Sequence, residues 1–185
     1  MKTRAAVLLI PGLSNSGPEH WQSLWEAKHP EYNRVQQADW ETPRCEDWVQ
    51  TLHACILQIE SPVVLAGHSL ACTTIAHYAA KHADCQGRVT AAFLVAPSDV
   101  EAPTYPPGST GFSPMPLQTL PFRSLLVASS DDPYVTSERV ELFACSWGSR
   151  VIKIVNAGHI NAASGYGLWP EGEAWLEQLR EFRRR

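Results

Sequence analysis

Short continuous runs of apolar residues recur along the chain, and each run is bounded by turn-forming residues. Runs of this kind are typical of parallel strands that are buried on both faces of a sheet. Five clear runs and a weaker sixth occupy 5–10, 62–67, 89–96, 124–129, 150–155 and, less distinctly, 34–40.

Stretches with helical periodicity lie between these runs. They cover 18–28, 45–60, 70–83, 137–146 and 171–183. Because strand and helix alternate, the pattern predicts an α/β protein with a doubly wound, mostly parallel sheet of about six strands and helices on both faces. A length of 185 residues suits one hydrophobic core, so we expect a single domain over residues 1–185.

One segment interrupts the alternation. Between Pro97 and Pro121, seven of the chain's 14 prolines fall within 25 residues, which excludes a regular helix or a central strand. The segment also carries Tyr105, Phe112 and Met115. Two interpretations remain open: a functional loop that contacts a ligand, or a surface segment that covers the core.

Composition and charge narrow the class of protein. Hydrophobic residues make up 44% of the chain and charged residues 18%, as in a globular protein. The net charge of −4 offers no basic surface for nucleic acid, and the basic tail at 182–185 is read as a solvated end. The apolar run at 5–10 is too short to span a membrane. No GxGxxG motif or P-loop is present, so we expect no nucleotide.

The cysteines suggest a reducing environment. They are odd in number and include no CxxC pair, so neither a disulfide framework nor a zinc site is predicted, and a cytoplasmic location is expected. The five are Cys45, Cys55, Cys72, Cys85 and Cys145. Cys72 lies close to a candidate nucleophile described next, and we interpret it as a buried packing residue.

The run at 62–67 ends in "AGHSLA", which places Ser69 between a strand and a helix. Gly67 and Ala71 complete a G-x-S-x-A pattern, close to the nucleophile elbow, in which a tight turn lifts a serine hydroxyl clear of the sheet. The pattern alone is weak, and its place between strand and helix is what strengthens it. His68 is interpreted as a packing residue whose side chain points away from the site.

A serine nucleophile needs a histidine base that is oriented by a carboxylate. His159 follows the last predicted strand, and the order nucleophile, acid, base then requires an acid between Ser69 and His159. Asp132 is the preferred acid, and Asp131 and Asp99 are the alternatives. All these residues follow predicted parallel strands, whose carboxyl ends form the usual site edge of an open α/β sheet.

Acyl transfer also needs hydrogen-bond donors for the oxyanion. The backbone N–H of Leu70 is one by its position after the serine. The loop after the first strand is expected to supply the other, and Leu13, directly after the turn at Pro11–Gly12, is the candidate. The alternative interpretation of this loop is a flexible connector.

Several segments together resemble the small α/β-hydrolase-fold serine hydrolases of the retinoblastoma-binding-protein and YdeN type. In chain order they are "PGLSNSGPEHWQSLWE", "ADWETP", "GHSLA", "GFSPMPLQTLPF", "SSDDPYV" and "GHIN". The resemblance implies an α/β-hydrolase fold without a separate cap domain, with Ser69 as nucleophile, Asp132 as acid and His159 as base. It also places His20 and Trp21 near the site.

We therefore expect a serine hydrolase that acts on small ester or amide substrates through an acyl-enzyme, with no metal and no cofactor. Phe112, in the proline-rich segment, is a candidate for substrate contact. A non-catalytic binding protein of the same fold is the alternative from another class, and a thioesterase or cofactor-free haloperoxidase could use the same three residues. The chain has no L-x-C-x-E motif, so no retinoblastoma-type partner is expected.

Overall fold

The computed structural model describes residues 4–82 and 87–181, which contain a six-stranded sheet. The strands are β1 (Ala6–Ile10), β2 (Tyr32–Arg34), β3 (Val63–His68), β4 (Val89–Val95), β5 (Arg123–Ser129) and β6 (Arg150–Ile154). Every neighbouring pair is parallel, in the order β2-β1-β3-β4-β5-β6. The described residues form no separate cap domain, and the predicted α/β-hydrolase architecture is confirmed.

Helices cover both faces of the sheet. They are α1 (Trp21–Lys28), α2 (Cys45–Gln58), α3 (Leu70–Lys81), α4 (Ser137–Trp147) and α5 (Pro170–Arg180), with a short 3-10 turn at Ala162–Ser164. Helices α1 and α5 contribute to one core cluster, whereas α2, α3 and α4 contribute to the other. Along β1, Leu8 and Ile10 face the second cluster, and Val7 and Leu9 face the first. This burial on both faces explains why β1, β3, β4 and β5 read as continuous apolar runs, whereas the edge strand β6 is largely exposed.

Two elements, one strand and one helix, begin at residues other than those predicted from the sequence. The sixth strand is β2, which overlaps the run expected at 34–40 only at Arg34. The Asp39 carboxylate accepts the backbone N–H groups of Glu41 and Thr42, and this turn ends the extended segment. Helix α1 starts at Trp21 and not near residue 18, because His20 is its N-cap.

The proline-rich segment connects β4 to β5 and divides its side chains between two environments. Phe112, Met115 and Leu120 are buried in the core on the side of α2, α3 and α4. Tyr105 and Pro106 instead line a cavity at the carboxyl end of the sheet. The interpretation as a segment that covers the core therefore holds for its later part, while ligand contact by Tyr105 and Pro106 stays a prediction.

Cys45, Cys55, Cys72 and Cys145 are free thiols, while Cys85 and the basic tail at 182–185 lie outside the described residues. The Cys72 side chain is fully buried in α3, and its burial raises the pKa of the thiol, as expected for a packing residue. Among the described helices, none has the length and apolar character that a membrane crossing requires.

Candidate active site

Ser69 occupies a sharp turn between β3 and α3. Its backbone lies in a sparsely populated region, with φ 58° and ψ −123°, and its N–H donates to the Val95 carbonyl at 3.0 Å. A Cβ on Gly67 would lie 2.7 Å from Ile75 Cδ1 and 3.4 Å from Ala71 Cβ. Strand and helix therefore pack closely at Gly67, where a larger residue would have to displace the Ile75 side chain, and this close packing presents the Ser69 side chain at the sheet edge.

The structure brings Ser69, His159 and Asp132 together, each from a loop or turn that follows a different strand. His159 Nε2 lies 3.0 Å from Ser69 Oγ, and His159 Nδ1 lies 2.9 and 3.0 Å from the two Asp132 carboxylate oxygens. A carboxylate only accepts hydrogen bonds, so Nδ1–H donates to Asp132. In the neutral imidazole, Nε2 then carries a lone pair that accepts the Ser69 O–H.

The two alternative acids have other partners. The Asp131 carboxylate accepts Ser129 Oγ–H and the Gly158 N–H, and these bonds lower the pKa of this exposed carboxyl while tying the His159 loop to β5. Asp99 is buried and accepts two hydrogen bonds from the Arg139 guanidinium, each at 2.8 Å. Of the three candidates, Asp132 is the one whose carboxylate contacts His159.

The loop after β1 lies directly against the serine turn. A Cβ on Gly12 would approach His68 O and Ser69 Cβ to 2.8 Å each, and Leu70 N to 3.3 Å. Glycine at position 12 is therefore required by the close approach of the two backbones. Leu13 follows it and lines the cavity, and Leu70 is the first residue of α3.

Hydrogen bonds fix the shape of this loop, so it is not a flexible connector. Ser14 and Asn15 both have left-handed backbones with φ 61°. The Ser14 N–H donates to the Trp40 carbonyl at 2.9 Å, and the Asn15 carboxamide oxygen accepts a hydrogen bond from Arg34 at 2.8 Å. The loop thus enters the site in one defined conformation.

A cavity of about 270 Å³ opens above Ser69. Its walls contain no lysine, arginine, aspartate or glutamate. The lining residues are Leu13, Ser14, Asn15, His20, His68, Ser69, Ser98, Tyr105, Pro106, Tyr134, His159 and Asn161. The site therefore presents hydroxyl, amide, imidazole and aromatic groups to whatever enters it.

His20 lines the cavity, as the resemblance implied. Its Nδ1 accepts the Gln22 N–H at 3.2 Å, so the neutral ring carries its proton on Nε2. Burial, followed by the nearby Arg34 and His159 side chains, lowers the pKa of His20 to about 3. The ring is therefore neutral at physiological pH.

Trp21 and Phe112 are not among the residues that line the cavity. Trp21 is fully buried in the core, and its indole N–H donates to the Ile160 carbonyl at 3.1 Å, which supports the His159 loop from beneath. Phe112 turns away from the site and packs edge-on against Trp48 in the core, with ring centroids 5.8 Å apart. Its apolar ring gains more from burial there than at the polar cavity.

Among the cavity residues that were missed or misread from the sequence, His68 and Ser98 make hydrogen bonds to the proposed catalytic residues. His68 was expected to point away, but it lines the cavity, and its Nε2–H donates to the backbone carbonyl of His159 at 2.9 Å. Burial is the main cause that lowers the pKa of His68, so it too is neutral. Ser98 was not considered, and its Oγ lies 2.8 Å from Ser69 Oγ. Its position three residues after β4, at the site edge of the sheet, was the available signal.

The residues around the site carry no cluster of three or more His, Cys, Asp or Glu side chains suited to a metal ion, and none occurs elsewhere in the described part of the chain. The polar side chains at the site contact one another directly.

Comparisons with known proteins identify a family and a shared fold. A family model described as serine hydrolase matches residues 7–178. A YdeN-like hydrolase from Pectobacterium atrosepticum is 29% identical, with a TM-score of 0.84 over 96% of this chain and 91% of that chain. No curated protein matches the chain in sequence.

More distant solved structures share the fold. The ydeN gene product from B. subtilis is 17% identical, with a TM-score of 0.73 over 96% of this chain and 98% of that chain. Est1E from Butyrivibrio proteoclasticus is 12% identical, with a TM-score of 0.66 over 98% of this chain and 88% of that chain.

Proposed function

The chain belongs to the serine hydrolase family, and from this premise we propose that it hydrolyses small, uncharged esters or amides through an acyl-enzyme. One observation carries the proposal: Ser69 Oγ lies 3.0 Å from an imidazole nitrogen of His159, whose other nitrogen lies 2.9 Å from Asp132. This is the spacing that nucleophile, base and orienting acid need for proton transfer.

Acylation begins when His159 Nε2 takes the Ser69 proton and Ser69 Oγ attacks the substrate carbonyl carbon. Asp132 holds the imidazole in the tautomer that can accept this proton and stabilises the imidazolium that forms. The tetrahedral intermediate collapses, and His159 passes the proton to the leaving alcohol or amine. Water then enters, loses a proton to His159 and releases the acid.

The Leu13 and Leu70 N–H groups are the proposed donors to the oxyanion. The close packing of Gly12 against Ser69 and Leu70 supports this assignment, since it places the two backbone segments side by side at the nucleophile. Such donors act because they are already oriented where negative charge develops. Removal of one such donor typically costs about 10²- to 10³-fold in kcat.

The cavity supports the choice of substrate class. A volume of about 270 Å³ suits a short acyl or aryl group better than a long lipid chain. Tyr105, Pro106 and Tyr134 form part of the wall. The Tyr134 ring packs edge-on against the His159 ring, with centroids 4.6 Å apart. With no charged side chain in the wall, a carboxylate or ammonium group on the substrate would lose its hydration without a partner.

Labelling with a fluorophosphonate tests the nucleophile. The wild type should be labelled, and Ser69→Ala should not be. Ser124→Ala is the matched control, because Ser124 is a buried serine of β5 whose hydroxyl pairs with that of Ser149, away from the cavity. Equal labelling of wild type and Ser69→Ala, or of neither, would contradict the mechanism and favour a non-catalytic protein.

Two series of esters, one varying in acyl chain length and one in charge, test the proposed substrate class through their kcat/KM values. We expect p-nitrophenyl acetate or butyrate to be hydrolysed with a higher kcat/KM than p-nitrophenyl palmitate, and neutral esters with a higher kcat/KM than analogues with a charged acyl group. A marked preference for the long chain would overturn the proposed size limit. A preference for a charged ester would overturn the proposed neutrality.

A further inference from the structure

Ser98 lies at the carboxyl end of the sheet, three residues beyond β4, and its side chain contacts the proposed nucleophile. Its Oγ is 2.8 Å from Ser69 Oγ, and the residue is 2% exposed although it lines the cavity. Among the described residues, Ser69 is the one hydrogen-bond partner found for the Ser98 hydroxyl. Ser69 Oγ therefore contacts two side chains, Ser98 and His159.

The direction of each hydrogen bond follows from the chemistry of the groups. Asp132 accepts from His159 Nδ1–H, so Nε2 of the neutral ring is an acceptor, and the single proton of Ser69 points to it. Ser69 then has only lone pairs to offer Ser98. The contact at 2.8 Å is thus a hydrogen bond that Ser98 donates to Ser69 Oγ.

The backbone on both sides of Ser98 is held in place. The Ala96 N–H donates to the Val127 carbonyl at 2.8 Å, and the Asp99 N–H donates to the Tyr134 carbonyl at 2.9 Å. The Asp99 side chain is fixed in turn by Arg139. The Ser98 hydroxyl is therefore presented to Ser69 by a backbone that is tied to β5 and the loop after it.

We propose that Ser98 is a further catalytic residue, whose hydroxyl donates to Ser69 Oγ in the transition states of both acylation and deacylation. This inference rests on the proposed function. A hydrogen bond to an oxygen that carries developing negative charge is stronger than one to a neutral hydroxyl. Because the bond strengthens between ground state and transition state, it lowers the barrier.

The same oxygen carries developing negative charge in the transition states of both steps. In acylation, the Ser69 proton moves to His159 Nε2 as Oγ bonds to the acyl carbon and the carbonyl electron pair moves to oxygen. That pair then re-forms the carbonyl, the bond to the leaving group breaks, and His159 gives the proton to the leaving group. In deacylation, water adds to the acyl carbon and gives a proton to His159, the bond from carbon to Oγ breaks, and Oγ recovers the proton from His159. Ser98 keeps its own proton throughout.

Because Ser69 Oγ takes part in both acylation and deacylation, the effect of Ser98 differs from that of a residue that only binds substrate. A side chain that contacts the leaving group affects acylation alone, because that group has left before deacylation. A side chain that binds the acyl group changes KM for different acyl chains. Loss of a donor to Ser69 Oγ slows both steps for every substrate.

Stopped-flow measurement with p-nitrophenyl acetate separates the two steps. In Ser98→Ala we expect the acylation and deacylation rate constants each to fall about 10- to 100-fold, the range given by loss of a hydrogen bond to a charged group. Ser124→Ala removes a buried hydroxyl from another serine pair and should retain wild-type rates. Wild-type rates in Ser98→Ala, or slower acylation with unchanged deacylation, would overturn the inference.

Thermal unfolding shows whether Ser98→Ala is folded. If Ser98→Ala is not folded, Ser98→Cys is used instead, because it keeps the volume of the site but has a weaker donor. Both rate constants should again fall. Wild-type values for both would overturn the inference. Failure of the proposed function is recognised separately. In that case the wild type itself forms no acetyl-enzyme and Ser69→Ala behaves like it, and the role of Ser98 is then contradicted as well.

Discussion

Asp99 and Asp132 follow neighbouring strands at the same edge of the sheet, and both are buried, at 6% and 8% exposure. Asp99 receives two hydrogen bonds at 2.8 Å from the Arg139 guanidinium. Asp132 receives its side-chain hydrogen bond from the His159 imidazole, at 2.9 Å from the nearer oxygen. Residue type, burial and position in the fold are nearly the same for the two carboxylates.

The partner makes the difference. A guanidinium keeps its proton throughout the physiological pH range, so the pair of Asp99 and Arg139 can only hold structure. An imidazole gains and loses a proton near neutral pH, so Asp132 can stabilise a charge that appears during a reaction. A buried aspartate at the site edge of an α/β sheet therefore takes its role from the side chain opposite it.

Substitution of Asp132 by Asn should have the largest effect. The amide can donate to His159 Nδ1 and so favours the tautomer that cannot accept the Ser69 proton, with an expected loss of about 10⁴-fold in kcat. Steady-state hydrolysis of p-nitrophenyl acetate measures it. Asp99→Asn is the matched control, and its kcat should fall by no more than about 10-fold, equivalent to about 1.4 kcal/mol. Equal losses of kcat in the two variants would mean that the two aspartates do not differ in role.

Asp99→Ala should act mainly on stability. It removes two charge-assisted hydrogen bonds from Arg139, and we expect the free energy of unfolding to fall by about 1.5–3 kcal/mol in urea titrations. Arg139 also contacts Glu101 and is partly exposed, so the remaining charge keeps some solvation and a partner. A stability equal to that of the wild type would show that this pair does not hold the loop after β4.

The pH dependence of stability extends the comparison to a histidine without a carboxylate partner. The pKa of His20 is lowered from 6.5 to about 3, chiefly by burial, so the unfolded chain binds a proton there that the folded protein does not. Its contribution to stability is fully present above pH 6.5 and decreases as the pH falls towards 3. Between pH 7 and pH 5 the expected loss from this group is about 2 kcal/mol.

His20→Asn tests this contribution, because asparagine can still cap α1 but does not titrate. The free energy of unfolding of the variant should depend less on pH than that of the wild type, by about 2 kcal/mol between pH 7 and pH 5. Urea titrations at the two pH values measure the difference. If the free energy of unfolding depended equally on pH in the wild type and in His20→Asn, His20 would be protonated in the folded protein.

Local sequence patterns were sufficient to predict features that depend on a single strand or helix and its neighbours in the chain. Continuous apolar runs predicted five of the six strands. Four of them, β1, β3, β4 and β5, are buried between the helices, whereas β6 lies at the sheet edge and is largely exposed. The turn at Ser69 was predictable because the strand, the helix and Gly67 are adjacent in the chain. The sixth strand was misplaced because β2 has only three residues, Tyr-Asn-Arg, and so forms no apolar run of its own.

Patterns failed where contacts between distant segments decide the outcome. Phe112 and Tyr105 lie in the same proline-rich segment, and composition could not tell which ring enters the core and which the cavity. His68 was misread because its partner is the carbonyl of a residue 91 positions away. Ser98 went unnoticed because a lone serine has no signature until another hydroxyl is placed beside it.

The sequence by itself determined the order of strands and helices, the strand-to-helix turn at Ser69 and a short set of residues that could share its chemistry. Those features depend on burial periodicity and backbone geometry, which act over a few residues. The tertiary structure alone decided which aspartate contacts His159, which face of the proline-rich segment lines the cavity, and that Ser98 meets Ser69. Hydrogen bonds form over about 3 Å, and only the folded sheet brings residues so far apart in the chain within that distance.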